Sequence, residues 1–323
     1  MAYVVGVCFL ALVAIGFTLL YVTPVPAALF LRSQFADSSA TSLPGYDTDQ
    51  VIVEDNITYP SSRSQNQLDL YLPADHDSTT PVILWVHGGA YVGGDKSGIE
   101  KYASCLAADG YAVVCMNYEL APEENYPGPL IQMAEVYAWI TSESAEGIFD
   151  ASSLVLAGDS AGAHLAAQFA LIQTSTDYAA KVGLTQTVES SSLKATLLFC
   201  GPYDMSTLGS SDNTVVNYFL SRAGWAYFGE RDWLERYEDQ INITDNVTSS
   251  FPSTFITDGN TGSFEKDGKA LASKLEDLGV SVSTYFTPTS EASTAHEYQF
   301  DMESSAGQQS YAEVLSFLKK TVG

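Results

Sequence analysis

The feature that most constrains the fold of this chain is an apolar segment that leads, through a glycine-flanked turn, directly into a helix. Residues 154–157 have the composition of a buried β-strand, and residues 161–173 that of a helix. The turn between them is Gly158-Asp159-Ser160-Ala161-Gly162, the pattern G-x-S-x-G. Glycines on both sides of a serine remove the Cβ clashes of a sharp, strained turn. In this context the pattern predicts that the hydroxyl of Ser160 projects above the edge of a sheet.

The chain from about residue 50 onward alternates between apolar, β-rich runs and helical patterns. The predicted strands are 51–53, 68–72, 82–87, 111–118, 154–157, 195–200, 254–257 and 281–286, and the predicted helices are 99–108, 130–141, 161–173, 265–278 and 311–320. Continuous apolar strands that alternate with helices are typical of a mostly parallel sheet with helices on both faces. Ligands of such sheets bind at the carboxyl ends of the strands. We therefore expect one α/β domain over residues 50–323.

Residues 202–250 interrupt this alternation. The segment is rich in tyrosine, tryptophan and phenylalanine. It is predicted to be a helical insertion between two strands, forming a small cap over the site. Aromatic side chains in such a segment pack together more often than they bind a ligand.

The first 23 residues are predicted to be a transmembrane anchor or a signal segment. Tyr3 to Val22 is a run of twenty uncharged residues, the length needed to cross a bilayer core. An alternative is a cleaved signal peptide, with Val25-Pro26-Ala27 as the cleavage region, which would give a secreted protein. Residues 24–49 contain several prolines among Ser, Thr and Asp, and are predicted to form a stalk with little core of its own.

Charge excludes one class of partner. The chain has 14 basic and 39 acidic residues, a net charge of −25, which repels nucleic acid. The acidic composition and the Asn-x-Thr sequences at Asn56, Asn242 and Asn246 favour a location of the α/β domain on the extracellular side of a membrane. The four cysteines show no spacing typical of a metal site, and no metal is expected.

A second glycine motif follows the predicted strand 82–87. The sequence is His87-Gly88-Gly89-Ala90-Tyr91. Acyl transfer creates a tetrahedral oxyanion that needs N–H donors about 3 Å away. The backbone N–H groups of Gly88 and Gly89 can approach closely because no side chain intervenes, and the N–H of Ala161 would be a third donor. These three residues are the predicted oxyanion hole.

The general base is predicted by elimination among four histidines. His76 lies in a turn, His87 belongs to the glycine motif, and His164 lies one helical turn after Ser160 and points along that helix. His296 follows the last predicted strand, where a fold of the G-x-S-x-G type places its histidine after the serine and the acid. Ser160 and His296 are therefore the predicted nucleophile and base.

The motifs H-G-G-A, G-D-S-A-G-A-H and H-E-Y-Q-F together resemble the hormone-sensitive-lipase-like branch of the α/β-hydrolases. That branch includes acetyl esterases, carboxylesterases and the bifunctional acetyl-xylan and feruloyl esterases. The resemblance covers about residues 50–320. It implies the α/β-hydrolase fold and a serine esterase that cleaves small carboxylic esters, with a preference for short acyl chains and without a cofactor.

The sequence departs from this pattern at the acid. The family pattern after the seventh strand resembles Gly-x-x-Asp-Pro, and here Gly262 stands where the aspartate is expected. Three replacements remain open from the sequence, namely Asp258, Glu265 and Asp204. The departure also leaves open an alternative function, a catalytically impaired protein of this fold with a binding role.

Overall fold

A computed structural model describes residues 18, 20–35, 40–45, 47–48, 50–210 and 213–323. Eight strands form one sheet in the spatial order β1-β2-β4-β3-β5-β6-β7-β8. The first two strands pair antiparallel, and β2 is also antiparallel to β4, whereas all the other pairs are parallel. The strands are β1 (Ile52–Thr58), β2 (Gln67–Leu72), β3 (Pro81–Val86), β4 (Ala112–Met116), β5 (Asp150–Asp159), β6 (Leu193–Phe199), β7 (Ser253–Asp258) and β8 (Val282–Phe286).

Helices cover both faces of this sheet, as the alternation in the sequence predicts. They are α1 (Val25–Phe35), α2 (Glu100–Ala108), α3 (Gly128–Ala145), α4 (Ala161–Thr174), α5 (Thr176–Val182), α6 (Thr214–Phe228), α7 (Trp233–Arg236), α8 (Glu238–Ile241), α9 (Ile243–Asn246), α10 (Glu265–Asp277) and α11 (Ser305–Thr321). Short 3₁₀ turns occupy Lys96–Ile99, Met205–Thr207 and Tyr298–Phe300.

Two apolar clusters fill the space between the sheet and its helices. Alternate residues of each central strand point to opposite faces. In β3, Leu84 belongs to the cluster under α3 and α4, whereas Ile83 and Trp85 belong to the cluster under α2 and α11. The central strands are buried on both faces, which explains why they read as continuous apolar runs.

Helix α1 corrects the prediction of a stalk over residues 24–49 for the part that it covers, Val25–Phe35. Ala27 and Ala28 are buried, and Phe30 stacks on Phe219 of α6 with ring centroids 5.0 Å apart. Arg32 donates from Nε to the carbonyl oxygen of Val92 at 2.6 Å. Proline composition suggested an extended linker, but Pro26 occupies the first turn of the helix, where a missing N–H costs nothing.

The insertion between β6 and β7 contains α6 to α9, and α6 lines the cavity that holds Ser160, just beyond the end of β5. Its aromatic residues pack mainly with one another: Phe228 stacks on Trp233 with ring centroids 5.2 Å apart. Tyr227 stacks on Tyr91 at 4.1 Å. Because α1 packs on α6, the N-terminal helix and the insertion together form the cap over the site.

The predicted anchor lies largely outside the described residues. Within the described part of the chain, no helix combines the length and the apolar character needed to cross a membrane. The prediction for residues 1–23 therefore stays a prediction.

Candidate active site

Ser160 lies on a strained turn between β5 and α4. Its backbone has φ 51° and ψ −118°, a conformation that non-glycine residues adopt rarely and that is found at functional turns. A Cβ on Gly162 would collide with the carbonyl oxygen of Val86, and one on Gly158 would collide with the backbone of Gly162. The glycines of the motif are thus required by the close approach of backbone to backbone.

The hydroxyl of Ser160 contacts the ring of His296. The distance from Ser160 Oγ to His296 Nε2 is 2.9 Å, although 136 residues separate them in the chain. The loop that carries His296 is held by Asn260, which donates from Nδ2 to the carbonyl oxygens of Thr287 and Ala292 at 2.9 and 2.8 Å. The two residues selected from the sequence as nucleophile and base therefore lie within hydrogen-bond distance.

The other ring nitrogen of His296 meets a hydroxyl and not a carboxylate. His296 Nδ1 lies 2.7 Å from Ser263 Oγ. The hydroxyl of Ser263 in turn donates to Oδ1 of Asp258, at the end of β7. A serine hydroxyl thus bridges the histidine and the buried acid.

This arrangement selects Asp258 from the three candidate acids. Glu265 begins α10 and pairs with Lys269 at 2.9 Å. Asp204 caps the turn Met205–Thr207 by accepting from the N–H and hydroxyl of Ser206 at 3.0 and 2.6 Å. Both carboxylates are thus engaged away from His296.

Burial shifts the acidity of this group of residues. Desolvation raises the pKa of the Asp258 carboxyl to about 7, against the opposing effect of the hydrogen bond from Ser263. Desolvation also lowers the pKa of His296 to about 4, because the charged imidazolium loses hydration. His296 is consequently neutral at pH 7, the state that a general base requires.

The loop after β3 departs from the prediction at one residue. The N–H of Gly88 donates to Oδ2 of Asp159 at 2.8 Å, so it is occupied and the oxyanion role predicted for Gly88 is wrong in this structure. Gly89, Ala90 and Tyr91 all have positive φ, at 109°, 52° and 64°. Successive N–H groups in such a conformation form a concave anion-binding nest. Among the described residues, the N–H groups of Gly89, Ala90 and Ala161 have no protein acceptor.

Two adjacent carboxyl groups support this loop, the buried Asp159 and the half-buried Glu297. Asp159 accepts from Gly88 N–H and, at 2.8 Å, from Trp85 Nε1. Glu297 lies against Asp159, and burial together with the charge of Asp159 raises the pKa of Glu297 well above its usual value. Burial also raises the pKa of Asp159, to about 6. Because Asp159 has the two N–H donors, we assign the negative charge to Asp159 and the shared proton to Glu297.

Two cavities meet at His296. The serine cavity, of about 190 Å³, is largely apolar, and α1, α6 and the loop after β7 enclose it. Its lining includes Phe35, Ala90, Ser160, Ala161, Val216, Leu220, Phe264 and His296. The acidic cavity, of about 390 Å³, lies beside the glycine loop. Its lining includes Gly88, Gly89, Asp95, Asp159, Glu297 and Asp301.

The one group of described residues with spacing suited to a metal ion overlaps this site. Ligand atoms of Cys200, Asp258 and His296 lie within 4.8 Å of one another. Asp258 and His296 are already joined through Ser263, and Cys200 accepts from the N–H of Glu297 at 3.4 Å. Internal hydrogen bonds thus account for the arrangement of all three residues.

Sequence reasoning missed Ser263, Ala90 and the Asp159–Glu297 pair. Ser263 follows Gly262, the position where the acid was expected, but a lone serine in a polar loop carries no signal of its own. Asp159 and Glu297 are each adjacent in the sequence to a predicted catalytic residue, Ser160 and His296. Their contact depends on the β5 turn meeting the final loop, which no local pattern encodes.

The BD-FAE family model matches residues 68–266, more than half of the chain. The chain belongs to the BD-FAE family. This confirms the resemblance to α/β-hydrolase esterases drawn from the three motifs. The matched region includes the glycine loop, the Ser160 turn and the Asp258–Ser263 pair, but ends before His296.

Two relatives illustrate the similarity of this BD-FAE chain to curated proteins. The chain is 28% identical over 211 residues to the probable carboxylic ester hydrolase LipM of Mycobacterium tuberculosis, covering 64% of this chain and 48% of the relative. It is 30% identical over 207 residues to the isoprenylcysteine alpha-carbonyl methylesterase ICME of Arabidopsis thaliana, covering 62% and 46%. The chain thus spans about half the length of these relatives.

Solved structures confirm the α/β-hydrolase fold. Esterase B from Lactobacillus rhamnosis superposes with a TM-score of 0.74 at 24% identity, covering 92% of this chain and 91% of that one. A bacterial heroin esterase gives a TM-score of 0.68 at 20% identity, with 86% of each chain covered. At these identities the comparison establishes the architecture alone.

Proposed function

We propose that this protein is a carboxylic ester hydrolase that works through an acyl-enzyme on Ser160. The observation that carries the proposal is the 2.9 Å contact between Ser160 Oγ and His296 Nε2 at a strained strand–helix turn. Family membership and the ester-cleaving names of the relatives support the same reaction class.

In the proposed mechanism, His296 takes the proton of Ser160 as its oxygen attacks the ester carbonyl. The carbonyl oxygen becomes an oxyanion, which the N–H groups of Gly89, Ala90 and Ala161 stabilise, and the N-terminus of α4 adds a favourable dipole. The protonated His296 then donates its proton to the leaving alcohol. Water, activated by the same histidine, hydrolyses the acyl-enzyme and regenerates Ser160.

The serine cavity supports a preference for short acyl chains. It has a volume of about 190 Å³ and contains both Ser160 and His296. Phe264 of the loop after β7 and Phe35 of α1 lie in its wall, and aromatic walls leave little length for an extended acyl chain. The acidic cavity on the other side of His296 would take the alcohol part of the ester.

The alternative function is binding without catalysis. It is suggested by Gly262, which stands where the catalytic aspartate is expected. Gly262 is exposed, and the next residue along, Ser263, links His296 to a buried carboxylate. This linkage favours catalysis over binding alone.

Hydrolysis of p-nitrophenyl acetate, butyrate and octanoate, together with labelling by a fluorophosphonate, tests the proposal. We expect turnover to fall from acetate or butyrate to octanoate. Ser160→Ala should lose both turnover and labelling, whereas Ser290→Ala, a change at an exposed serine, should keep both. A folded wild-type protein that neither labels nor turns over any ester would support the binding function instead.

We also propose that the N-terminal run tethers the domain to a membrane with the hydrolase domain outside. The support is the apolar run itself, the exposure of Tyr21 and Val22 at its described end, and the exposure of Leu29 and Phe30 on the adjoining helix α1. Flotation of the full chain with phosphatidylcholine vesicles, compared with a chain that starts at Thr23, tests the tether. Equal flotation of both chains would contradict it.

A further inference from the structure

The unusual feature of the site is the hydroxyl between the histidine and the acid. Ser263 Oγ lies 2.7 Å from His296 Nδ1 and is hydrogen-bonded to Asp258 Oδ1. We propose that Ser263 is a positioning residue through which ionised Asp258 fixes the tautomer of His296. The inference rests on the proposed function, because it concerns how the base of that reaction is kept ready.

The protons available on Ser263 and Asp258 decide the direction of each hydrogen bond in this chain. A serine hydroxyl has one proton, and an ionised carboxylate only accepts hydrogen bonds. With Asp258 ionised, the proton of Ser263 must point to Asp258, so Ser263 Oγ accepts from the Nδ1–H of His296. Nε2 is then unprotonated and accepts from Ser160. The hydrogen bonds of His296 and Ser263 therefore both run towards the carboxylate of Asp258, and Nε2 can accept the proton of Ser160.

Protonation of Asp258 reverses the chain. The carboxylic acid donates to Ser263, the hydroxyl of Ser263 donates to Nδ1, and the ring proton moves to Nε2. His296 then presents an N–H to Ser160 and accepts no proton from it. The imidazole is neutral in both states, so what changes is the position of one proton and not the charge of the ring.

The surroundings of Asp258 place this switch near neutral pH. The carboxyl is buried. The groups that face it are Cys200 and Tyr203 of the loop after β6, Asp267 of α10, and His296 and Glu297 of the final loop. Among the described residues near it there is no lysine or arginine to stabilise its charge. Its pKa of about 7 follows from this desolvation, whereas the pKa of His296 is about 4.

The pKa values of Asp258 and His296 therefore predict different midpoints for the rise of kcat/KM with pH. If Asp258 controls the tautomer, activity rises with a midpoint near pH 7. If His296 acts independently, the midpoint lies near pH 4. The profile is measured for wild type, Ser263→Ala and Ser263→Thr, with circular dichroism to verify folding.

We expect Ser263→Ala to lower kcat/KM at pH 8 by at least about tenfold. We also expect the midpoint of the rise of kcat/KM with pH to move from near pH 7 towards pH 4. The upper bound is about 10⁴-fold, the loss that follows when a protease histidine is held in the wrong tautomer. Ser263→Thr keeps the hydroxyl, so its kcat/KM should rise with pH at the wild-type midpoint. Wild-type rate and profile in Ser263→Ala would overturn the inference.

A second variant, Asp258→Asn, tests whether Asp258 acts through Ser263. An uncharged asparagine can present either its amide nitrogen or its amide oxygen to Ser263, so it no longer enforces the Nδ1–H tautomer, and we expect kcat/KM to fall by up to about 10⁴-fold. Adding Ser263→Ala to Asp258→Asn should cause no further loss, because the two residues act as one unit. Independent, multiplying losses would contradict a shared role.

A measurement without any variant completes the test. Nitrogen-15 NMR of the histidine rings distinguishes protonated Nδ1 from protonated Nε2. We expect the Nδ1–H tautomer of His296 at pH 8.5 and the Nε2–H tautomer at pH 5.5; the Nε2–H tautomer at pH 8.5 would overturn the inference. Fluorophosphonate labelling of Ser160 in wild type separates the two proposals, since its absence would refute the esterase function and not the tautomer assignment.

Discussion

The attachment of α1 to the rest of the domain depends strongly on Arg32, and its removal gives a quantitative prediction. Arg32 donates to the carbonyl oxygens of Val92 and Ala121 at 2.6 and 2.9 Å. It also forms a two-pronged pair with Glu123 at 2.9 and 2.7 Å. Arg32→Ala breaks all of these contacts and leaves two partly buried carbonyl groups without their donors.

The magnitude follows from the exposure of each contact. The Glu123 side chain is 50% exposed, so the ion pair contributes at most about 1 kcal/mol. Each hydrogen bond from a charged donor to a partly buried carbonyl contributes about 1.5–3 kcal/mol, and water replaces part of it. We therefore expect the docking free energy of α1 to fall by about 2–4 kcal/mol.

Hydrogen exchange measures this loss directly. At about 1.4 kcal/mol per factor of ten, the amides of α1 should exchange about 30- to 700-fold faster in Arg32→Ala. Glu123→Gln, the matched control, removes only the exposed ion pair and should accelerate exchange by no more than about fivefold. Because Phe35 of α1 lines the serine cavity, KM for a short ester should also rise in Arg32→Ala.

Unchanged exchange of α1 in Arg32→Ala would refute this reasoning, because it would mean that apolar contacts alone hold the helix. Equal acceleration in Arg32→Ala and Glu123→Gln would refute it differently, by showing that the ion pair and not the carbonyl bonds holds α1.

Two further predictions concern the site and its support. Gly162→Ala should prevent folding to the native turn, because its Cβ would collide with the carbonyl oxygen of Val86, whereas Gly268→Ala in a helix, with its nearest contact at 3.3 Å, should change the melting temperature by a few degrees at most. Glu297 has a raised pKa in the folded state, so its contribution to stability is complete below pH 4.5 and declines as pH rises towards the folded value. Glu297→Gln should therefore flatten the fall in unfolding free energy as the pH rises above 4.5, measured by urea titration. An unchanged slope would contradict the assignment of the proton shared with Asp159.

The sequence determined the parts of this protein that local chemistry controls. Continuous apolar strands require a sheet covered on both faces, and a serine between glycines after such a strand requires a strained turn. His296 was identifiable because few histidines exist and only one follows the last strand. These inferences needed no contact between distant residues.

Only the tertiary structure decided which groups meet across the ends of the strands. The hydrogen bond from Ser263 to Asp258, the occupied N–H of Gly88 and the pairing of Asp159 with Glu297 arise where separate loops converge. The prolines of residues 24–49 predict a stalk, yet burial of Ala27 and Ala28 stabilises α1 as a helix. Local composition sets what a segment can form, whereas packing against distant segments decides what it does form, because the free energy of burial exceeds local preferences.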